Sequence, residues 1–158
     1  ETQPAYAARL REFITTNQLD DCIRILPGLR NDSPELVQAF HACDTFVLPS
    51  MHEPFGIVVL EAWSAGRAVI ASHVGGLKAL IRDGETGLFI DPNPSESPAA
   101  LAGLLHRLHS EPELRTAIAQ AGLREARTQY DWKRIGTQLE ELYRSAEEHA
   151  ARRLGKAR

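Results

Sequence analysis

Cysteine is nearly absent. Cys22 and Cys43 are the only two in 158 residues, too far apart in sequence to form a CxxC pair. Both lie among apolar neighbours, on an expected strand and an expected helix, and read as reduced core residues of a cytosolic protein rather than as a disulfide. No apolar run approaches the ~18 residues that span a membrane, and no signal-peptide pattern is visible. Charge of one sign is lacking too. Eighteen Lys and Arg stand against 21 Asp and Glu, a net charge of −3, so no general field draws in nucleic acid or acidic lipid. There is no internal repeat, no low-complexity tract, and no nucleophile beside a paired base. His106 and His109 share a helix face at i, i+3, a spacing a metal uses, but no third ligand accompanies them. They read as surface or boundary residues.

What is present is an ordinary globular composition, with 43% hydrophobic and 25% charged residues. A chain of this length buries about 70% of its unfolded surface and needs no staple. It reads as one domain over 1–158, or most of one. Residue 1 is Glu rather than Met, which reads as a piece of a longer protein. Ala5–Gln18 is helical in pattern, with Leu10, Phe13 and Ile14 on one face. Ile23-Arg24-Ile25-Leu26 reads as a strand stopped by Pro27-Gly28. Ser33-Pro34-Glu35 supplies a cap, an N1 proline and an early acid for a helix to about Ala42. Strands follow at 45–48, 68–72 and 87–90, alternating with helices at 56–65 and near 78–82. Strands separated by single helices imply a parallel sheet with helices on both faces. The prolines of 91–98 rule out a strand there. Three helices, 99–109, 112–128 and 132–153, finish the chain, with Asp131 as the N-cap of the last. The basic tail from Arg152 to Arg158 reads as frayed.

The most informative stretch is Glu53-Pro54-Phe55-Gly56-Ile57-Val58-Val59-Leu60-Glu61. It sets a carboxylate at either end of a strand-to-helix turn, after the apolar run Thr45-Phe46-Val47-Leu48. Gly56 opens a helix that Gly66 closes. A strand feeding a glycine and a helix N-terminus makes an anion site, because unspent N–H groups and the helix dipole both point at the loop. The carboxylates are not anion ligands. They suit neutral hydroxyls, such as those of a sugar or a ribose, beside a bound phosphate.

Glu53-x7-Glu61, with Pro-Phe-Gly after the first Glu and Ala after the second, resembles the signature of retaining nucleotide-sugar glycosyltransferases of the GT-B fold. The resemblance continues through Gly66-Arg67-Ala68-Val69-Ile70-Ala71-Ser72, Val74-Gly75-Gly76-Leu77 and Asp83-Gly84-Glu85-Thr86-Gly87-Leu88. It reaches up to Ile23–Gly28 and down to Tyr130-Asp131-Trp132. It implies the C-terminal, Rossmann-like α/β domain, with strand order 3-2-1-4-5-6 and the nucleotide at the switch point. Residues 23–26 align with the third strand and 45–48 with the fourth. The first two strands, the acceptor-binding N-terminal domain and the phosphate-binding Arg and Lys would then precede Glu1. A second chain completing the sheet is one consequence. Another is that residues 23–26 and 45–48 are not neighbours.

The resemblance also assigns roles. Glu61 would take the ribose hydroxyls; the plain alternative is an acid favoured near a helix N-terminus. Glu53 would partner hydroxyls of the donor sugar and act in catalysis; the alternative is a solvated loop acid. Phe55, Gly56, Ile57 and Val58 would act through their backbone, the amides of 57 and 58 facing the diphosphate. Gly75 and Gly76 suit a backbone pressed against a ligand, or simply a tight turn. Where the family commonly has Pro-Glu this chain has Lys78-Ala79, and Lys78 reads as a surface lysine. Gly28, Leu29 and Arg30 follow the strand where main-chain contacts to the base are usual. His52 adjoins Glu53 and reads as incidental. Trp63 and Trp132 read as packing residues. The implied activity is sugar transfer from a nucleotide diphosphate sugar with retention, with no obligatory metal or other cofactor, in the cytoplasm or peripheral to a membrane. A nucleotide-sugar epimerase or phosphorylase of the same fold, or a domain that binds without catalysing, are the alternatives.

Overall fold

The computed structural model describes residues 4–26, 28–93 and 96–155. Pro27, Pro94, Ser95 and the tail residues Lys156, Ala157 and Arg158, all invoked above, lie outside them. The chain divides into two compact units, Glu1–Gln38 and Ala39–Arg158.

The first unit holds α1 (Pro4–Thr16) and the start of α2 (Pro34–Ala42). α1 ends two residues earlier than its pattern predicts. Gln18 turns left-handed, with φ 54°, and the amide of Leu19 returns to the Ile14 carbonyl at 2.9 Å. Of the face predicted from Leu10, Phe13 and Ile14, only Ile14 is buried. The expected strand at 23–26 does not form: these residues are irregular, and Ile23, Ile25 and Leu26 are exposed. A strand is stabilised by a ladder partner, and this apolar run has none among the described residues. Cys22 is corrected as well. It is exposed, in a turn rather than on a strand.

The second unit is built on three parallel strands, β1 (Thr45–Leu48), β2 (Ala68–Ser72) and β3 (Leu88–Ile90), in the spatial order β1-β2-β3. Thr45 pairs with Ala68, and Ile70 with Leu88. Between them run α3 (Ile57–Ser64) and the single turn α4 (Leu77–Leu80); α5 (Ser97–Ser110), α6 (Pro112–Gln129) and α7 (Trp132–Gly155) follow. β2 is buried throughout, so its alternating side chains fill two cores. Val69 and Ala71 face Val59, Ala62 and Trp63 of α3 and Leu77 and Leu80 of α4. Ala68 and Ile70 face Leu108 of α5 and Ile118 of α6.

The helix ends follow the signals in the sequence. Ser33 Oγ accepts the Leu36 amide at 3.3 Å, and Asp131 Oδ1 accepts that of Lys133 at 2.9 Å, both as N-caps. α3 stops at Gly66, φ 69°, whose amide bonds the Trp63 carbonyl at 2.8 Å while that of Arg67 bonds Ala62 at 2.9 Å. That pair of bonds is a Schellman stop. α7 continues through Gly155, so Arg152–Gly155 are helical where the sequence suggested fraying. Its face carries Trp132, 81% exposed, with Leu139, Leu142 and Tyr143 also exposed.

Candidate functional site

The loop from β1 to α3 lies at the carboxyl ends of the strands, where open parallel sheets bind ligands. Pro49 and Pro54 bias Leu48 and Glu53 before them toward extended backbone, the loop bends at Met51, Pro54 and Phe55, and Gly56 ends it. Gly56 is buried with φ 97°, a conformation open mainly to glycine. A Cβ there would sit 2.5 Å from Leu77 Cδ2. Glu53 is half-buried. Its Oε1 accepts the amide of Gly56 at 3.0 Å and that of Phe55 at 3.3 Å. A carboxylate at a helix N-terminus is stabilised by the dipole, so Glu53 closes its own loop rather than standing solvated. Oε2 makes no hydrogen bond among the described residues.

The next two amides, of Ile57 and Val58, make no hydrogen bond among the described residues, as the first turn of a helix dictates. Glu61 is exposed on the second turn of α3, and its carboxylate has no hydrogen bond or ion pair among the described residues. It opens into a groove of about 600 Å³, walled by Phe55, Ile57, Leu60 and Ser64 on one side. Arg127 and Tyr130 at the end of α6, with Asp131, Trp132 and Ile135, form the other. Trp132 is therefore not the packing residue expected of it. Trp63 is: fully buried, with its indole N–H donating to the Thr86 carbonyl at 2.9 Å.

Gly75 and Gly76 join the site through the loop. Gly75 has φ 46°, and the amide of Gly76 donates to the Glu53 carbonyl at 2.9 Å. Lys78, Ala79 and His52 are exposed nearby in sequence. His106 and His109 are exposed on α5, and His106 Nε2 lies 3.5 Å from Ser110 Oγ. Gly28 and Leu29 belong to the first unit, where a Cβ on Gly28 would meet nothing within 4 Å. Sequence reasoning missed Arg127. It stands in the last turn of α6, and only the return of α6 beside α3 brings it to the groove.

A family model described as "Glycosyl transferases group 1" matches residues 3–125. The chain is 40% identical over 111 residues to a D-inositol 3-phosphate glycosyltransferase of Corynebacterium urealyticum, covering 70% of this chain and 25% of that protein. A protein of the same name from Thermomonospora curvata is 36% identical over 139 residues, 88% of this chain and 31% of its own. The chain thus spans a quarter to a third of these relatives. Among solved structures, HepE of Anabaena in complex with UDP superposes with a TM-score of 0.76 at 30% identity, over 89% of this chain and 37% of that one. The C-terminal domain of a group 1 family protein from Francisella tularensis gives 0.72 at 32% identity, over 82% of this chain and 64% of that one.

Proposed function

The chain belongs to the group 1 glycosyl transferases, with the GT-B fold of their C-terminal domain, and from this we propose that it carries part of a donor-sugar site. The reaction is transfer from a nucleotide diphosphate sugar to an acceptor, with retention of anomeric configuration. The supporting observation is the α3 N-terminus. Glu53 takes the amides of 55 and 56, those of 57 and 58 stay unspent, and one turn on Glu61 offers an unpaired carboxylate in the groove. The two unspent amides suit a diphosphate. Glu61 suits the ribose hydroxyls, and Glu53 Oε2 a hydroxyl of the sugar.

Preorganised amides aimed at a departing diphosphate stabilise charge as it develops. Such chemistry asks for no nucleophilic side chain and no obligatory metal. Further basic residues from the full-length protein complete the positive charge, so this chain alone does not turn over. A nucleotide-sugar donor suits a protein in the cytoplasm or peripheral to a membrane; no described helix is long and apolar enough to cross one. HepE is described in complex with UDP and with UDP-glucose, which makes UDP the first nucleotide to test. Calorimetry of the full-length protein with UDP, GDP and ADP should show one bound well above the others. Binding of none of them defeats the proposal, and binding without transfer leaves only a nucleotide-sugar-binding domain.

A further inference from the structure

β2 ends at Ser72, and the chain folds back at once, with the Val74 amide on the Ser72 carbonyl at 2.9 Å. The turn drives its backbone against the loop that carries Glu53. A Cβ on Gly75 would come within 3.0 Å of the Glu53 carbonyl oxygen, and one on Gly76 would do the same at the Pro54 carbonyl and lie 2.8 Å from Phe55 Cα. These obstacles are backbone atoms, which cannot swing aside. The Gly76 amide is already spent on the Glu53 carbonyl. Beneath them Leu77, wholly buried, packs under Gly56, whose amide holds Glu53 Oε1. The space left by the absent side chains is thus filled by the protein itself.

Resting on the role given to Glu53 above, we propose that Gly76 acts in the reaction as a positioning residue, fixing the Glu53 carboxylate through its backbone without touching the donor. A contiguous set of contacts runs from the Gly75-Gly76 turn to the Glu53 carbonyl, and from Leu77 through Gly56 to the Glu53 carboxylate. A side chain at 76 displaces the loop and misaims Glu53.

The first test needs no ligand. In the 158-residue chain, Gly76→Ala and Leu77→Val should each speed hydrogen exchange at the Gly56 amide, which loses its carboxylate acceptor. Unchanged protection of that amide in the folded variants overturns the proposal. Leu77→Val serves should Gly76→Ala not fold, since it only trims a side chain with no access to a ligand. The second test is a double-mutant cycle in the full-length protein, with UDP-glucose turnover and UDP affinity as readouts. Gly76→Ala should lose on the order of 100-fold in turnover, the scale of a 1 Å misplacement, with UDP affinity unchanged. In a Glu53→Ala background it should cost nothing more. Losses that multiply, or a fall in UDP affinity, would mean that Gly76 meets the donor directly. Full activity of Glu53→Ala alone would instead remove the role given to Glu53, and the proposal with it.

Discussion

Glu53 and Glu61 are the same residue type eight positions apart, yet the chain gives them different surroundings. Glu53 spends one oxygen on two amides of its own loop, whereas the Glu61 carboxylate has no partner among the described residues. A free carboxylate can give both oxygens to a ribose diol, each charge-assisted bond contributing about 1.5–3 kcal/mol. Glu61→Gln should therefore weaken free UDP binding to the full-length protein at least tenfold, roughly 1.4 kcal/mol. Glu53→Gln should leave it nearly unchanged, because under the proposed function Glu53 partners the sugar and not the nucleotide. Equal losses in a calorimetric titration would contradict the assignment. The two acids were legible as a pair from their spacing, but the hydrogen bonds of Glu53 were not, since they depend on how Gly56 turns. The cysteines show the same limit. Apolar neighbours in sequence suggested burial for both, yet Cys22 is exposed and only Cys43 is half-buried. Burial pushes the Cys43 thiol up, and the charge of Arg67 offsets this only in part. Less thiolate and less access both slow its chemistry. Labelling at pH 8 should modify Cys22 well before Cys43, read by mass spectrometry of the two peptides; equal rates would mean that Cys43 is not shielded.

Helices were the most legible elements, because their ends are written locally. Ser33, Gly66 and Asp131 each do what their type and position predict, through bonds to amides or carbonyls within a few residues. The apolar run 23–26 misled for the opposite reason: a strand is fixed by a partner far along the chain, which four residues cannot specify. What a helix packs against is equally non-local. Gly103 and Gly122 look alike in sequence, each inside a helix of good formers. A Cβ on Gly103 would meet nothing within 4 Å, whereas on Gly122 it would strike the Trp63 ring within 3.0 Å. That ring cannot retreat, being fully buried and tied to the Thr86 carbonyl. Gly103→Ala should stabilise the protein by about 0.5–1 kcal/mol through helix propensity. Gly122→Ala should destabilise it by about 1–3 kcal/mol through overpacking. Urea unfolding of the two variants checks both signs, and equal midpoints would show that α6 and α3 are not in close contact.

At the scale of the molecule the two edges of the sheet are treated differently. On β3 the Phe89 amide, directed away from β2, is taken by Asp83 Oδ1 at 2.9 Å, so a side chain blunts that edge. On β1 nothing corresponds: its outer edge pairs with no strand among the described residues, and all four of its residues are only half-buried. The resemblance had anticipated a vacancy beside 45–48 from strand order alone. The observed order β1-β2-β3, parallel throughout, is compatible with 45–48 as the fourth strand of the order 3-2-1-4-5-6. The three strands and their parallel order were legible in the sequence, but the Asp83 bond that blunts the β3 edge was not, because an edge becomes visible only once the pairing is known. An open parallel edge is both unprotected and a template for another strand. In the 158-residue chain, then, the β1 amides that point away from β2 should exchange with solvent in minutes. Those of β2, flanked by strands on both sides and buried throughout, should persist toward the limit set by global unfolding. Amide exchange resolved by residue distinguishes the cases. Uniform protection along β1 would mean that its outer edge is covered, by a second copy or by residues outside the described set. Protection that appears only on raising the concentration would identify the cover as another copy of the chain, paired strand to strand.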